Sequence, residues 1–283
     1  MGELRVNRPT VVFILSAPRS GSTWLNLVLG SNSWAADLGE YNRPFLSIPY
    51  NSDNVIRCPS CTADGLPDCA IYPNLCNVPE KEAYHFAFSK SQKPVLIDAS
   101  KDIDWCARFI TRRDIDPCII HLIRHPCGFV ESQLRRSERS EDQLLSEWET
   151  INRSIEAFVA SSGVRNIVAF YDDLADNPQE HFPDVCEMIG QRWEPASVRY
   201  WEHEHHGFCA NGPTLLFLRD RRYFSKVGVI TGDDAFYGTL LGQPIRADSR
   251  WRKRLSSDFC QRAIEMPYSL ALRQNYGRDR WSF

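Results

Sequence analysis

Thr10-Val11-Val12-Phe13-Ile14-Leu15-Ser16-Ala17-Pro18-Arg19-Ser20-Gly21-Ser22-Thr23-Trp24-Leu25-Asn26-Leu27-Val28-Leu29 runs from apolar, through small and polar, to apolar-periodic. That order reads as buried strand, tight turn, then helix. Such a turn aims several backbone N–H groups at one spot beside the positive end of the helix dipole, which makes an anion site. Against the nucleotide-triphosphate loop G-x-x-x-x-G-K-[ST], Gly21 and Thr23 match, but Ser22 stands at the lysine and Ser16 at the first glycine. A kinase or ATPase would lack the cation that holds its β- and γ-phosphates. Arg19, two residues before the glycine, supplies a different cation. The loop suits a phosphate-like group other than ATP.

Outward from this loop, short apolar runs at 11–15, 95–98, 118–123 and 166–171 alternate with helical patterns near 23–30, 102–113, 126–137, 141–161 and 178–190. The alternation predicts an α/β fold: a central parallel β-sheet flanked by helices, of P-loop-like architecture. Pro126 and Pro178 suit first helical turns. Leu144, Leu145, Trp148, Ile151, Ile155, Phe158 and Val159 give the longest pattern an apolar face at helical spacing. Residues 51–79, rich in Pro, Cys, Asn and Asp and without periodicity, read as a cysteine-rich insertion or lid within a single domain over 1–283. Ligands of such sheets bind at the carboxyl ends of the strands, where the 16–23 loop lies.

The chain has 283 residues, 43% hydrophobic and 24% charged, values of a globular protein with one large core or a core with a sizeable elaboration. It contains no apolar stretch long enough to span a membrane, and its polar start lacks the apolar region of a signal peptide, so a cytoplasmic location is expected. A net charge of −3 gives no general reason to expect nucleic acid as a partner. Arg219, Arg221, Arg222, Lys226, Arg246, Arg250, Arg252, Lys253 and Arg254 nevertheless crowd one C-terminal region. They form either a solvated basic face or, in part, a cover over an anionic ligand.

A second strand-end anion site follows Cys118-Ile119-Ile120-His121-Leu122-Ile123. Arg124 and, eight residues on, Ser132 can converge on one phosphate. Two such sites in one sheet imply a ligand with two separate anionic groups.

On these residues the chain resembles the sulfotransferases that use 3′-phosphoadenosine-5′-phosphosulfate (PAPS). Pro18-Arg19-Ser20-Gly21-Ser22-Thr23-Trp24 is similar to that family's 5′-phosphosulfate loop, and Arg124 with Ser132 to its 3′-phosphate pair. Tyr171-Asp172-Asp173-Leu174 resembles a motif whose tyrosine reaches the adenosine, and Trp24 a position that stacks on adenine. Gly39-Glu40, the cysteine insert, Ala210-Asn211-Gly212 and Trp251-Arg252 follow the order of the bacterial-type and carbohydrate-type branch. Asn211-Gly212 reverses that branch's Gly-Asn. The resemblance implies PAPS as donor, PAP (3′-phosphoadenosine-5′-phosphate) as product, and cofactor contacts from Arg19, Ser20, Gly21, Ser22, Thr23, Trp24, Arg124, Ser132, Tyr171 and Arg252.

Sulfuryl transfer is an in-line displacement in which a protein mainly positions reactants and stabilises charge. Arg19 and the backbone of 20–23 can stabilise the transferred group. The resemblance makes Glu40 the base for an acceptor hydroxyl or amine; on its own, Leu38-Gly39-Glu40-Tyr41 reads as a surface loop. Lys101 either neutralises the transferred group or belongs to a helix start with Ser100 as its N-cap. The alternatives are a P-loop small-molecule kinase and a non-catalytic nucleotide-binding scaffold. The acceptor class, small molecule, carbohydrate or lipid, is open, as is the oligomeric state; Trp34, Tyr41, Phe45, Tyr50 and Trp105 are either acceptor-pocket or core residues.

Cys106, Cys118, Cys127, Cys186, Cys209 and Cys260 read as small core residues. Cys58-x2-Cys61-x7-Cys69-x6-Cys76 is a cluster that admits three states: a structural zinc site, two disulfides, or free thiols. His203, His205 and His206 do not have the H-E-x-x-H spacing of a hydrolytic zinc site, and adjacent histidines rarely face one site.

Overall fold

A computed structural model describes residues 8–46, 58, 61, 69–208, 214 and 246–277. The described strands β1 (Thr10–Ser16), β2 (Ala35–Gly39), β3 (Val95–Asp98), β4 (Asp116–Ile123) and β5 (Arg165–Phe170) form one sheet in the order β2-β3-β1-β4-β5. All pairings within it are parallel. The described α-helices are α1 (Ser22–Gly30), α2 (Ala83–Ser91), α3 (Ile103–Phe109), α4 (Pro126–Leu134), α5 (Glu141–Ser162), α6 (Tyr171–Asp176), α7 (Pro178–Ile189), α8 (Trp251–Arg254), α9 (Ser257–Glu265) and α10 (Pro267–Tyr276). None of them is long and apolar enough to cross a membrane.

Side chains alternate between the two faces of a strand, and both faces of β1 are buried. Val11, Phe13 and Leu15 belong to one cluster with Tyr84 of α2 and Ile155 of α5. Val12 and Ile14 belong to another with Leu25 and Val28 of α1 and Phe182 and Val185 of α7. A third cluster joins Phe129 of α4, Trp148 of α5 and Phe259 of α9, which fastens the C-terminal helices onto the edge of the fold. A continuous apolar run in β1 is what a strand buried on both sides requires.

Helix ends follow local chemistry. Ser140 and Gln143 form a reciprocal capping box at the start of α5, and Gly163 ends it with φ 68°. Pro126 opens α4, where the His125 ring nitrogen accepts from the Cys127 N–H. The cap of α3 is Asp102, which accepts from Trp105 N, and not Ser100. Tyr171, expected as the end of a strand, is the first residue of α6, because Asp172 and Asp173 favour a helix start there. The expected helix 102–113 is shorter, ending at Phe109. No apolar run or helical pattern in the sequence marks β2 or α2. Tyr50, Cys209, Ala210-Asn211-Gly212, Arg219, Arg221, Arg222, Lys226 and most of the 51–68 stretch lie outside the described residues.

Candidate active site at the carboxyl edge of the sheet

Because the strands are parallel, the segments after β1, β2, β3 and β4 all leave from one edge. The segment after β1 turns through Arg19 (φ 65°) and Gly21 (φ 93°), both left-handed, before α1 begins. Glycine is required at 21 on two counts. Its backbone is left-handed, and a Cβ there would stand 2.3 Å from Cδ2 of Tyr171. The Tyr171 ring therefore lies directly on the turn. The hydroxyls of Ser16 and Ser20 are buried and have no hydrogen-bond partner among the described residues. Buried hydroxyls ordinarily have partners; a phosphate-like ligand in the turn would supply acceptors for them.

The end of β4 meets this turn through arginine. Arg124 is 5% exposed; its Nη1 donates to the Arg19 carbonyl at 2.9 Å, and its guanidinium stands 5.2 Å from the Tyr171 ring centroid. Arg19 Nε in turn donates to Ser132 Oγ at 3.4 Å. Ser132 also accepts from Arg135 Nη2 at 3.3 Å. Beside it, the nearly buried Glu131 carboxylate pairs with Arg135 at 3.0 Å and Arg254 at 2.8 Å. The two expected anion sites, the β1 turn and the end of β4 with Ser132, are thus joined directly by hydrogen bonds through Arg19.

A C-terminal segment closes on these residues. Asp248 pairs with Arg124 at 3.4 Å and Arg250 at 2.7 Å, and its N–H donates to Tyr171 Oη at 3.4 Å. Burial pushes the Asp248 carboxyl up, but Arg250 and Arg124 outweigh it and hold it at about 2. Trp251 stacks on His125 with centroids 4.3 Å apart, and Arg252 lies over the Trp251 ring at 4.4 Å. Burial, with Arg252 and Arg124 adding to it, lowers His125 to about 3, so its imidazole is neutral at physiological pH.

The ends of β2 and β3 bring together Glu40 and Lys101, two residues expected separately at the transfer site. Glu40 accepts from Lys101 Nζ at 2.7 Å and from Arg43 Nε at 2.9 Å. Lys101 has φ 60°, so both expected transfer-site cations, Arg19 and Lys101, are held in a backbone region that costs a non-glycine residue energy. Lys101 is fixed by what precedes it. Asp98 is buried and accepts from Tyr84 Oη at 2.6 Å, Trp105 Nε1 at 3.0 Å and Ser100 N at 2.7 Å. Burial raises the Asp98 carboxyl, with these donors acting against it. Ser100 Oγ accepts from Asn42 N at 3.0 Å, tying the β3 end to the loop that carries Glu40.

Other expected residues fall elsewhere. Trp24 is 7% exposed and packs edge-on against Tyr171 and Phe182, so little of its ring is open to a ligand. Tyr41 and Trp105 are fully buried core, and Phe45 stacks on Trp105 at 5.5 Å. Cys106, Cys118, Cys127, Cys186 and Cys260 are buried as expected of core residues. Of the cysteine cluster, Cys58, Cys61 and Cys69 are gathered, whereas Cys76 is exposed and separate. It lies in a 3-10 turn (Leu75–Asn77) that buries Leu75 instead. His206 takes the fourth place, 137 residues after Cys69, a distance that local spacing could not reveal. None of the described cysteines forms a disulfide. His205 turns the other way, to Asp37 at 3.0 Å.

The profile of the family described as the sulfotransferase family matches residues 9–195. Two solved structures are similar in fold. The sulfotransferase domain from the curacin biosynthetic pathway is 15% identical, with a TM-score of 0.51 over 84% of this chain and 99% of that one. The sulfotransferase domain from the Synechococcus PCC 7002 olefin synthase is 19% identical, with a TM-score of 0.51 over 82% and 94%. No curated protein sequence matches.

Proposed function

Since the chain belongs to the sulfotransferase family, we propose that it moves the sulfuryl group of PAPS to a hydroxyl or amine of a small-molecule, carbohydrate or lipid acceptor by in-line displacement. The observation that carries this reading is the double attachment of Arg19. Its carbonyl accepts from Arg124 and its Nε donates to Ser132, so a 5′-phosphosulfate and a 3′-phosphate would share one cationic surface. The turn at 20–23 presents backbone N–H groups and the Ser20 hydroxyl to the 5′ group, with Arg19 balancing charge as the sulfur–oxygen bond to the phosphate breaks. Arg124 and Ser132 hold the 3′-phosphate, Tyr171 lies against the nucleoside, and Arg252 closes from outside. Trp24 supports this platform from beneath.

Glu40 takes the acceptor proton as the new sulfur–oxygen or sulfur–nitrogen bond forms. Lys101, bonded to the same carboxylate, orients it and offers positive charge to the sulfuryl oxygens. The proposed location is the cytoplasm. Kinase chemistry is disfavoured by Ser22 at the lysine position of the phosphate loop.

Calorimetric titration with PAP, set against ATP plus Mg²⁺, tests the reading. Micromolar PAP binding with negligible ATP binding is expected. Tight Mg-ATP binding without PAP binding would replace the sulfotransferase with a kinase, and binding of neither would leave a scaffold.

A further inference from the structure

We propose that Cys58, Cys61, Cys69 and His206 bind one zinc ion, and that this ion pins the chain segment that sets the position of Glu40. The ligand atoms of these four residues lie within 4.8 Å of one another. The His206 Nδ1 stands 3.6, 3.5 and 3.7 Å from the sulfurs of Cys58, Cys61 and Cys69. A tetrahedral ion with ordinary Zn–S and Zn–N bond lengths places nitrogen about 3.6 Å from each sulfur. Hydrogen bonding does not account for the same arrangement. A ring nitrogen offers one lone pair or one proton, which cannot serve three thiols at once.

The surroundings are those of a metal site. Backbone N–H groups of Ala70 and Tyr72 donate to the sulfurs of Cys61 and Cys69 at 3.2 and 3.3 Å, which suits thiolates. The other ring nitrogen of His206 meets Glu204 Oε1 at 2.9 Å, the partner that fixes a ligating imidazole's orientation. Three thiolates and one imidazole complete a four-coordinate shell with no open position, the composition of a structural zinc and not a hydrolytic one.

The ion's reach to Glu40 runs through the residues on either side of His206. His205, just before the ligand, pairs with Asp37 of β2, and Gly207, just after it, donates to the other Asp37 oxygen at 3.0 Å. Phe208 then lies alongside β2 as a parallel bridge to Gly39. Its N–H donates to Leu38 O at 2.9 Å, and its carbonyl accepts from Glu40 N at 2.8 Å. The approach is so close that a Cβ on Gly39 would stand 2.0 Å from that carbonyl. The metal thus ties the cysteine insertion to the strand that presents the carboxylate.

The consequence for turnover rests on the sulfotransferase reading; metal content does not, so the two fail separately. The test is elemental analysis of full-length protein purified under reducing, chelator-free conditions, paired with absorption of the cobalt-substituted protein. About one equivalent of zinc and cobalt–thiolate charge-transfer bands are expected. His206→Ala should lose the metal, and His206→Cys, a ligand swap that keeps the fold's tether, should retain it. Zinc below about 0.2 equivalents after zinc reloading, or cysteines recovered as a disulfide on alkylation in denaturant, would overturn the site. For the tether, His206→Ala should bind PAP within about twofold of the unmodified protein while its turnover falls at least about tenfold. Unchanged turnover in a metal-free variant would overturn the tether.

Discussion

Arg19 Nε lies 3.4 Å from Ser132 Oγ, and the same residue's carbonyl accepts from Arg124, so one residue of the β1 turn holds both groups proposed for the 3′-phosphate. Substitutions there should separate charge from hydrogen bonding. Ser132→Ala removes one neutral hydroxyl and should weaken PAP binding about tenfold, while Arg124→Ala removes a charge-assisted fork and should weaken it about 100-fold. Titration calorimetry reads both. Unchanged affinity in either variant would remove that residue from the nucleotide site.

Gly21 faces two constraints at once: its φ of 93° is left-handed, and a Cβ at this position would stand 2.3 Å from the Tyr171 ring. Gly21→Ala should lower stability by about 2–4 kcal/mol and abolish PAP binding, because the turn must open to make room. Urea unfolding measures the first effect. Tyr171→Ala beneath the same substitution should restore part of the stability without restoring binding. If Gly21→Ala folds as stably as the parent, the turn does not pack as described.

The sheet was legible where its strands are buried on both faces, since Val11, Val12, Phe13, Ile14 and Leu15 need no partner pattern to read as a strand. β2 has no such run, and only the resemblance, which sets Gly39-Glu40 after a second strand, pointed to it. Its sequence, Ala35-Ala36-Asp37-Leu38-Gly39, has a single large apolar side chain, and its place is fixed by Asp37 meeting His205 and Gly207 far along the chain. The turn after β1 and the place of Arg124 at the end of β4 were legible because a strand, a tight turn and a helix start leave local signals. His206 was not, because a ligand set assembled across the fold leaves no spacing to read. The pairing of Glu40 with Lys101 likewise joins the ends of two strands that only the sheet order brings side by side.

Glu40 and Lys101 make a pair whose roles can be told apart by kinetics. Glu40→Gln keeps the shape and the donors' neighbour but removes the proton acceptor. It should bind PAP with unchanged affinity and lose turnover by about 10²–10⁴-fold. Lys101→Met should lower turnover less, and with it the affinity for donor. The measurement is steady-state sulfuryl transfer once an acceptor is in hand, with PAP titration on the same preparations. Retained turnover in Glu40→Gln would move the base to another residue.

The buried histidine of β4 predicts the acid limb of stability. His121 is nearly fully buried, with Nε2 at 3.1 Å from Asn152 Oδ1, and burial lowers it from 6.5 to about 4 although that hydrogen bond acts against the fall. The unfolded chain therefore takes up a proton near pH 6.5 that the folded chain refuses until about pH 4. Stability that is fully present above pH 6.5 is lost as the pH falls, by about 1.4 kcal/mol per unit, and the loss ends near pH 4 at about 3 kcal/mol. His121→Gln removes the titrating group, so its stability should fall less steeply than the parent's across that window by the same slope. Parallel urea-unfolding series at pH 7, 6, 5 and 4 give the difference, which cancels the contributions of every other titrating group common to both proteins. Curves of equal slope would mean that His121 is protonated in the fold, and that the Asn152 contact is made by an imidazolium.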